Sequence, residues 1–137
     1  MTAVALVTLV AIVQVMAFQW RVGKGRNAFN VPGPLTTGPD PWERLYRVHL
    51  NTVENLVMFF PLLWLCAAFL HPWAAATLGL AFVVARGWYS SLYVADPSTR
   101  VPAVWLTGIS LYLLLLGTAA GIAMGAAGYA AFKPSCG

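Results

Sequence analysis

The chain has 137 residues, 60% hydrophobic and only 9% charged, with a mean hydropathy of +0.74. A soluble domain of this size is nearer half apolar and about a quarter charged, so the composition excludes one and leaves an integral membrane protein with room for about four spans of roughly twenty residues. The net charge of +4 does not point to nucleic acid, because the basic residues sit beside the ends of apolar runs, where they act as topology signals.

The first apolar run, Thr2 to Trp20, lacks a basic n-region, is longer than a signal-peptide core and ends in the interfacial pair Trp20-Arg21. It reads as a first helix over about 2–20. Residues Arg21 to Pro41 read as the one substantial loop, since the repeated Pro and Gly after Val31 forbid a regular element. Within it, Gly23-Lys24-Gly25-Arg26 is too short and too basic for a nucleotide loop. Asp40-Pro41 reads as an N-cap followed by Pro at the first helical position. The second helix is expected from Pro41 to about Leu70, about 45 Å at 1.5 Å per residue. That exceeds the hydrocarbon thickness, so its first turns protrude into headgroups or water, and Pro61 is a candidate kink.

His71-Pro72 is a tight connection, with His71 an interfacial loop histidine. The third helix covers about 73–95. Asp96-Pro97 repeats the cap-plus-proline start for a fourth helix over about 97–127. There Gly117, Gly121 and Gly125 recur every four residues and suit a close packing face. The expectation is an all-α fold, a single four-helix membrane bundle. Cys66 and Cys136 make no disulfide framework, and no metal-type spacing or Ser-His-Asp order is present. Arg21, Lys24, Arg26, Arg44, Arg47, Arg86 and Arg100 all fall at one side of the bundle and only Lys133 at the other. The positive-inside rule therefore puts the arginine-rich end in the cytoplasm and both termini on the opposite side.

The chemistry is concentrated in Glu43-Arg44-Leu45-Tyr46-Arg47-Val48-His49-Leu50-Asn51-Thr52-Val53-Glu54-Asn55. At about 100° per residue, Arg44, Arg47, Asn51 and Glu54 project within an arc of roughly 80°. An ionisable group such as Glu54 costs about 2.5–3.5 kcal/mol within a span on insertion scales, so it faces protein or water. On the third helix Arg86, Tyr89 and Tyr93 are spaced i, i+3, i+7, within an arc of about 60°. With Arg26 and Arg100 they make one basic, hydrogen-bonding region. Guanidinium forks suit carboxylates or phosphates, and Glu54 suits either an arginine or a ligand ammonium. A small zwitterion with more than one carboxylate would satisfy both. The competing structural reading is a set of topology arginines with Glu54 ion-paired to Arg47.

The run from Glu43 to Asn55 resembles the E-R-x-x-R-x-x-x-N-x-x-E signature of the membrane-associated proteins in eicosanoid and glutathione metabolism. Pro34-Leu35-Thr36-Thr37-Gly38-Pro39 before it and Ala85-Arg86-Gly87-Trp88-Tyr89-Ser90-Ser91-Leu92-Tyr93 after it, with Arg100 following, extend the resemblance over most of the chain. It implies a four-helix protomer assembled as a homotrimer, with glutathione bound between neighbouring subunits. Arg26, Arg47, Asn51, Glu54, Arg86, Tyr89 and Tyr93 match residues that hold the tripeptide, and Arg100 matches one proposed to stabilise the thiolate. The implied activity is glutathione transfer to an apolar electrophile, or reduction of a lipid hydroperoxide. His49, Asn27 and Asn55 depart from the leukotriene-synthase branch, and His49 is read as structural or subunit-facing. Two other readings exist. A non-catalytic lipid-binding scaffold is disfavoured because Arg47 and Glu54 are both present, and a small transporter because no inverted repeat is visible.

Overall fold

A computed structural model describes residues 1–132, with side chains described to residue 125; Lys133 and Cys136 lie outside the described residues. Four helices account for almost all of it: α1 Thr2–Ala28, α2 Asp40–Phe69, α3 Pro72–Ala95 and, after a 3-10 turn at Pro97–Arg100, α4 Val101–Phe132. Each of the four regions is long and apolar enough to cross a membrane. Helices are the natural solution there, because hydrocarbon offers no partner for an unsatisfied backbone group. The fold is all-helical among the described residues, and the protein is an integral, multi-pass membrane protein.

Besides α4 running on to Phe132 rather than ending near 127, the boundaries differ from the expected ones in three places. First, α1 continues past Trp20 to Ala28, so the Pro- and Gly-rich loop is confined to residues 29–39. Tertiary contact overrides the weak helix propensity of the glycines: a Cβ on Gly25 would lie 3.0 Å from the Trp42 ring, a tight contact that glycine avoids where α1 packs on α2. Second, Asp40 is the first residue of α2 rather than its cap, a place held by Pro39. Its carboxylate pairs instead with Arg44 at 2.6 Å, in the first turn, where the helix dipole favours negative charge. Third, α4 starts at Val101, because Asp96 caps a 3-10 turn: the Ser98 N–H donates to Asp96 Oδ1 at 2.9 Å and the Ser98 hydroxyl to Oδ2 at 2.8 Å. The helix of α2 runs on through Pro61, which removes one backbone donor without ending it. His71 caps α3, its Nδ1 accepting from the Trp73 N–H at 3.3 Å.

The main core joins all four helices: Val4 and Ala11 of α1, Leu56, Phe59, Leu63 and Cys66 of α2, Ala75, Phe82 and Val83 of α3, and Leu114 of α4. Phe59 stacks on Phe82 with centroids 3.9 Å apart and so fixes the register of α2 against α3. Towards the arginine-rich end, Phe18, Val48, Tyr89, Tyr93 and Ala103 form a second cluster, and Val22, Val31 and Trp42 a third.

In lipid, helices associate by packing rather than by escape from water, so close approach decides stability. The glycines of α4 divide on this point. Gly117 faces Leu70 and Cys66, and a Cβ on Gly121 would overlap the Phe69 carbonyl, whereas Gly125 has open space around it. Gly121→Ala is therefore expected to lower the melting temperature in detergent by several degrees or more, through backbone displacement at the end of α2. Gly125→Ala is expected to leave it unchanged or slightly raised; thermal unfolding of the two variants side by side measures the difference.

Candidate functional site

Arg86 is the most unusual residue of the bundle: a guanidinium only 2% exposed, within a membrane span, with no carboxylate bonded to it among the described residues. Its Nε and Nη2 both donate to Thr52 Oγ1, at 3.3 and 2.8 Å, and its Cζ lies 4.3 Å from the centre of the Tyr89 ring. Tyr89 stacks on Tyr93 at 5.3 Å, and Arg100 stands over the other ring of this pair at 5.2 Å. Asn51 Nδ2 donates to the Tyr89 hydroxyl at 2.8 Å, and Asn55 Nδ2 donates to the Asn51 carbonyl at 2.6 Å. Asn51, Asn55, Arg86 and Tyr89, with Val104, Thr107 and Gly108 of α4, line a cleft of about 240 Å³.

Five of the residues singled out from the sequence are thus brought together: Asn51, Arg86, Tyr89, Tyr93 and Arg100. The other three are not. Arg47 and Glu54 are exposed on the outer face of α2, and no ion pair joins them. The structural reading in which they pair within one protomer therefore fails. Arg47 lines a separate cleft of about 340 Å³ with Thr36, Thr37, Glu43, Tyr46 and Leu50. Arg26 lies at the foot of α1, where Nη1 donates to the Leu35 carbonyl at 2.9 Å and Cζ sits 4.8 Å from the Trp42 ring centre. His49 is half-buried, and its Nδ1 has no hydrogen-bond partner.

The MAPEG family model matches residues 2–121. The chain belongs to the MAPEG family. Among its relatives are leukotriene C4 synthase of Bos taurus, 36% identical over 118 residues covering 86% of this chain and 79% of that one. Microsomal glutathione S-transferase 2 of Mus musculus is 33% identical over 112 residues, covering 82% and 73% respectively. An uncharacterized protein of Synechocystis sp. is 34% identical over 113 residues, covering 82% of each chain.

Two further residues of the candidate site lie inside the motif stretches but carry no role in the sequence reading. Thr52 and Ser90 are both buried; Thr52 holds Arg86, and Ser90 accepts from Arg21 Nη1 at 2.9 Å, tying α1 to α3. Hydroxyls in apolar helices mostly bond their own backbone, so sequence pattern gives no signal for such cross-helix roles. The end of α3 is clamped as well, because Arg44 Nη1 donates to the carbonyls of Val94 and Ala95 at 3.3 and 3.1 Å. Just beyond, the Asp96 cap sets the turn that carries Arg100.

The Ser98 backbone N–H, then its hydroxyl, with Arg44 assisting, hold the Asp96 carboxyl below the usual carboxylate range. A depressed folded-state value means that the cap's contribution is complete above the ordinary carboxylate pKa of about 3.9 and is lost as pH falls through the lower folded value. The melting-temperature difference between the wild type and Asp96→Ala is accordingly expected to be constant from about pH 5 upward and to shrink on acidification below about pH 4; a pH series of thermal melts measures it.

Proposed function

We propose that the chain is a glutathione-dependent membrane enzyme that conjugates glutathione to apolar electrophiles and reduces lipid hydroperoxides. It works as a homotrimer whose sites lie between neighbouring copies at the arginine-rich, cytoplasmic end. The observation that carries this reading is Arg86: a buried cation with no carboxylate bonded to it among the described residues, on the wall of a cleft, in a MAPEG chain whose relatives include a leukotriene C4 synthase and a microsomal glutathione S-transferase. A buried charge without a counter-ion is costly, and a ligand carboxylate supplies one.

The donor set suits the tripeptide, which has two carboxylates, one ammonium and two amides. Arg86, Arg47 and Arg26 offer planar forks for the carboxylates, Glu54 a partner for the ammonium, and Asn51 and Tyr89 hydrogen bonds for the amides. Glutathione supplies the thiol, which is only a few per cent ionised near neutrality and attacks as the thiolate. Arg100 is exposed, stands over the Tyr93 ring and, among the described residues, makes no hydrogen bond that would divert its fork. Its positive charge favours the ionised sulfur, and each unit by which the thiol pKa falls corresponds to about 1.36 kcal/mol. Conjugation then needs only positioning of an apolar partner that enters from the lipid along the helix surfaces.

The outer face of α2 supports assembly with further copies, which the proposed homotrimer would supply. Arg47 and Glu54 are exposed there beside Val57, Met58, Trp64 and Leu65, and hydrocarbon does not hold a carboxylate at that depth. A second copy covers the face and brings Arg26 of one subunit towards Arg47 and Glu54 of another.

Arg100→Ala is expected to lower turnover of an aryl halide by about a hundredfold or more, while the dissociation constant for glutathione changes by less than about threefold. Steady-state kinetics with calorimetry on the same detergent preparation separate the two; undiminished turnover removes Arg100 from the chemistry. Glu54→Gln is expected to weaken glutathione binding by roughly tenfold, the loss typical of one charge-assisted bond. An unchanged dissociation constant returns Glu54 to a purely structural role.

A further inference from the structure

We propose that Thr52 is the positioning residue for Arg86, holding its guanidinium ready for a ligand carboxylate without neutralising it; this rests on the glutathione site proposed above. Thr52 is 1% exposed and lies near the end of the polar stretch of α2, on the face turned towards α3. Its hydroxyl makes three bonds at once. It donates to the Val48 carbonyl at 2.7 Å and accepts from Arg86 Nη2 at 2.8 Å and from Arg86 Nε at 3.3 Å. Because its one proton is committed to Val48, its lone pairs are turned to the guanidinium, and two donors on one edge of the fork converge on one oxygen. That contact fixes both the place of the fork and its rotation. The Tyr89 ring covers a face of it at 4.3 Å, and the remaining N–H groups are left for the cleft.

The bland alternative is a span threonine that merely bonds its own helix. Thr8, Thr77, Thr107 and Thr118 do so, each donating to the carbonyl four residues back. Thr52 makes the same backbone bond, but it alone among these five also accepts from a charged side chain of another helix. The choice of a hydroxyl is informative. A carboxylate at this point would satisfy the guanidinium and cancel its charge; an apolar side chain would leave a buried cation unbonded. A hydroxyl meets the geometric need and leaves the full positive charge to attract an anion. Since a guanidinium fork recognises a carboxylate only when the two planes align, the setting of Arg86 by Thr52 acts on affinity rather than on the reacting sulfur.

The test is a cycle of Thr52→Val and Thr52→Ser, each alone and in an Arg86→Met background. Glutathione dissociation constants, kinetics against an aryl halide and melting temperatures are measured in detergent micelles. Thr52→Val is expected to raise Kd and KM for glutathione about tenfold with kcat changed less than about threefold, and Thr52→Ser to stay within about threefold of the wild type. In the Arg86→Met background, Thr52→Val is expected to change Kd less than twofold, since no fork remains to be set. A wild-type Kd in Thr52→Val overturns the proposal, as does an equal loss in both backgrounds.

Should Thr52→Val fold poorly, Thr52→Ser and the doubly apolar variant decide the matter, a tenfold loss in Thr52→Ser overturning it. Failure of the wild type to bind glutathione would sink the proposed function instead. The melting-temperature cycle then tests the Thr52–Arg86 dependence separately: Thr52→Val is expected to destabilise only when Arg86 is present, and additive effects overturn it.

Discussion

A cation buried in a membrane bundle must be satisfied from within, and the arginine-rich end of this protein is organised around how Arg86 is satisfied. No acidic side chain among the described residues pairs with it. Instead a threonine hydroxyl takes two of its donors and a tyrosine ring covers its face. Each support comes from an element whose place is fixed elsewhere. Thr52 is set by the packing of α2 on α3 through Phe59 and Phe82, and Tyr89 by its cluster with Phe18, Val48 and Ala103. Gly79 contributes to the same registry, since a Cβ there would lie 2.7 Å from Leu63 and 2.8 Å from Val7. The apolar half of the bundle therefore does more than span the membrane. It holds two helices at the separation that lets a neutral hydroxyl meet a charged fork.

The same constraint explains why the polar arc of α2 is split. Arg47, Asn51 and Glu54 lie within about 60° of one another on the helix, which reads as one surface. The edge of the protomer runs through that arc. Thr52 and Val48, on one flank, are buried, Asn51 is half-buried at the rim, and Arg47 and Glu54 on the far flank are exposed. One chain thus offers a cleft with hydrogen-bond donors and a cation on the inside of α2, and a pair of unneutralised charges on the outside. Neither surface alone provides the matched set of charges that a zwitterionic tripeptide requires, which is the physical reason for proposing that a second copy completes it.

Much of this was readable beforehand, and the misses share a cause. Four apolar runs and two Pro-marked starts outline the bundle, and the i, i+3, i+7 spacing of Arg86, Tyr89 and Tyr93 puts them on one face as the structure does. The end of α1 was not readable, because Gly23 and Gly25 argue locally against helix and only the contact of Gly25 with Trp42 reverses that. Asp40 looks like a cap and serves as an ion-pair partner, a difference of one residue that local sequence cannot resolve. Thr52 lies inside the motif, yet the sequence assigns it no role. A hydroxyl in an apolar helix carries no mark of whether it bonds only its own turn or also a neighbour's side chain. Pattern recovers faces and periods; it does not recover which atoms meet across helices.

The arrangement of the two site arginines completes the argument. Arg86 and Arg100 are both cations near one cleft, and in a low-dielectric setting like charges repel strongly. Between them lie Tyr89 and Tyr93, stacked at 5.3 Å, with Arg86 over one ring at 4.3 Å and Arg100 over the other at 5.2 Å. The negative faces of the rings attract both guanidinium groups, so the ladder sets the distance between the cations while offsetting part of their repulsion. It also joins elements of different rigidity. Arg86 is locked inside α3, whereas Arg100 sits on a 3-10 turn whose geometry depends on the Asp96 cap. In the proposed function, a ligand held at Arg86 would lie two stacked rings away from the exposed Arg100. In that function, binding falls to the buried end of the ladder and activation of the sulfur to its exposed end.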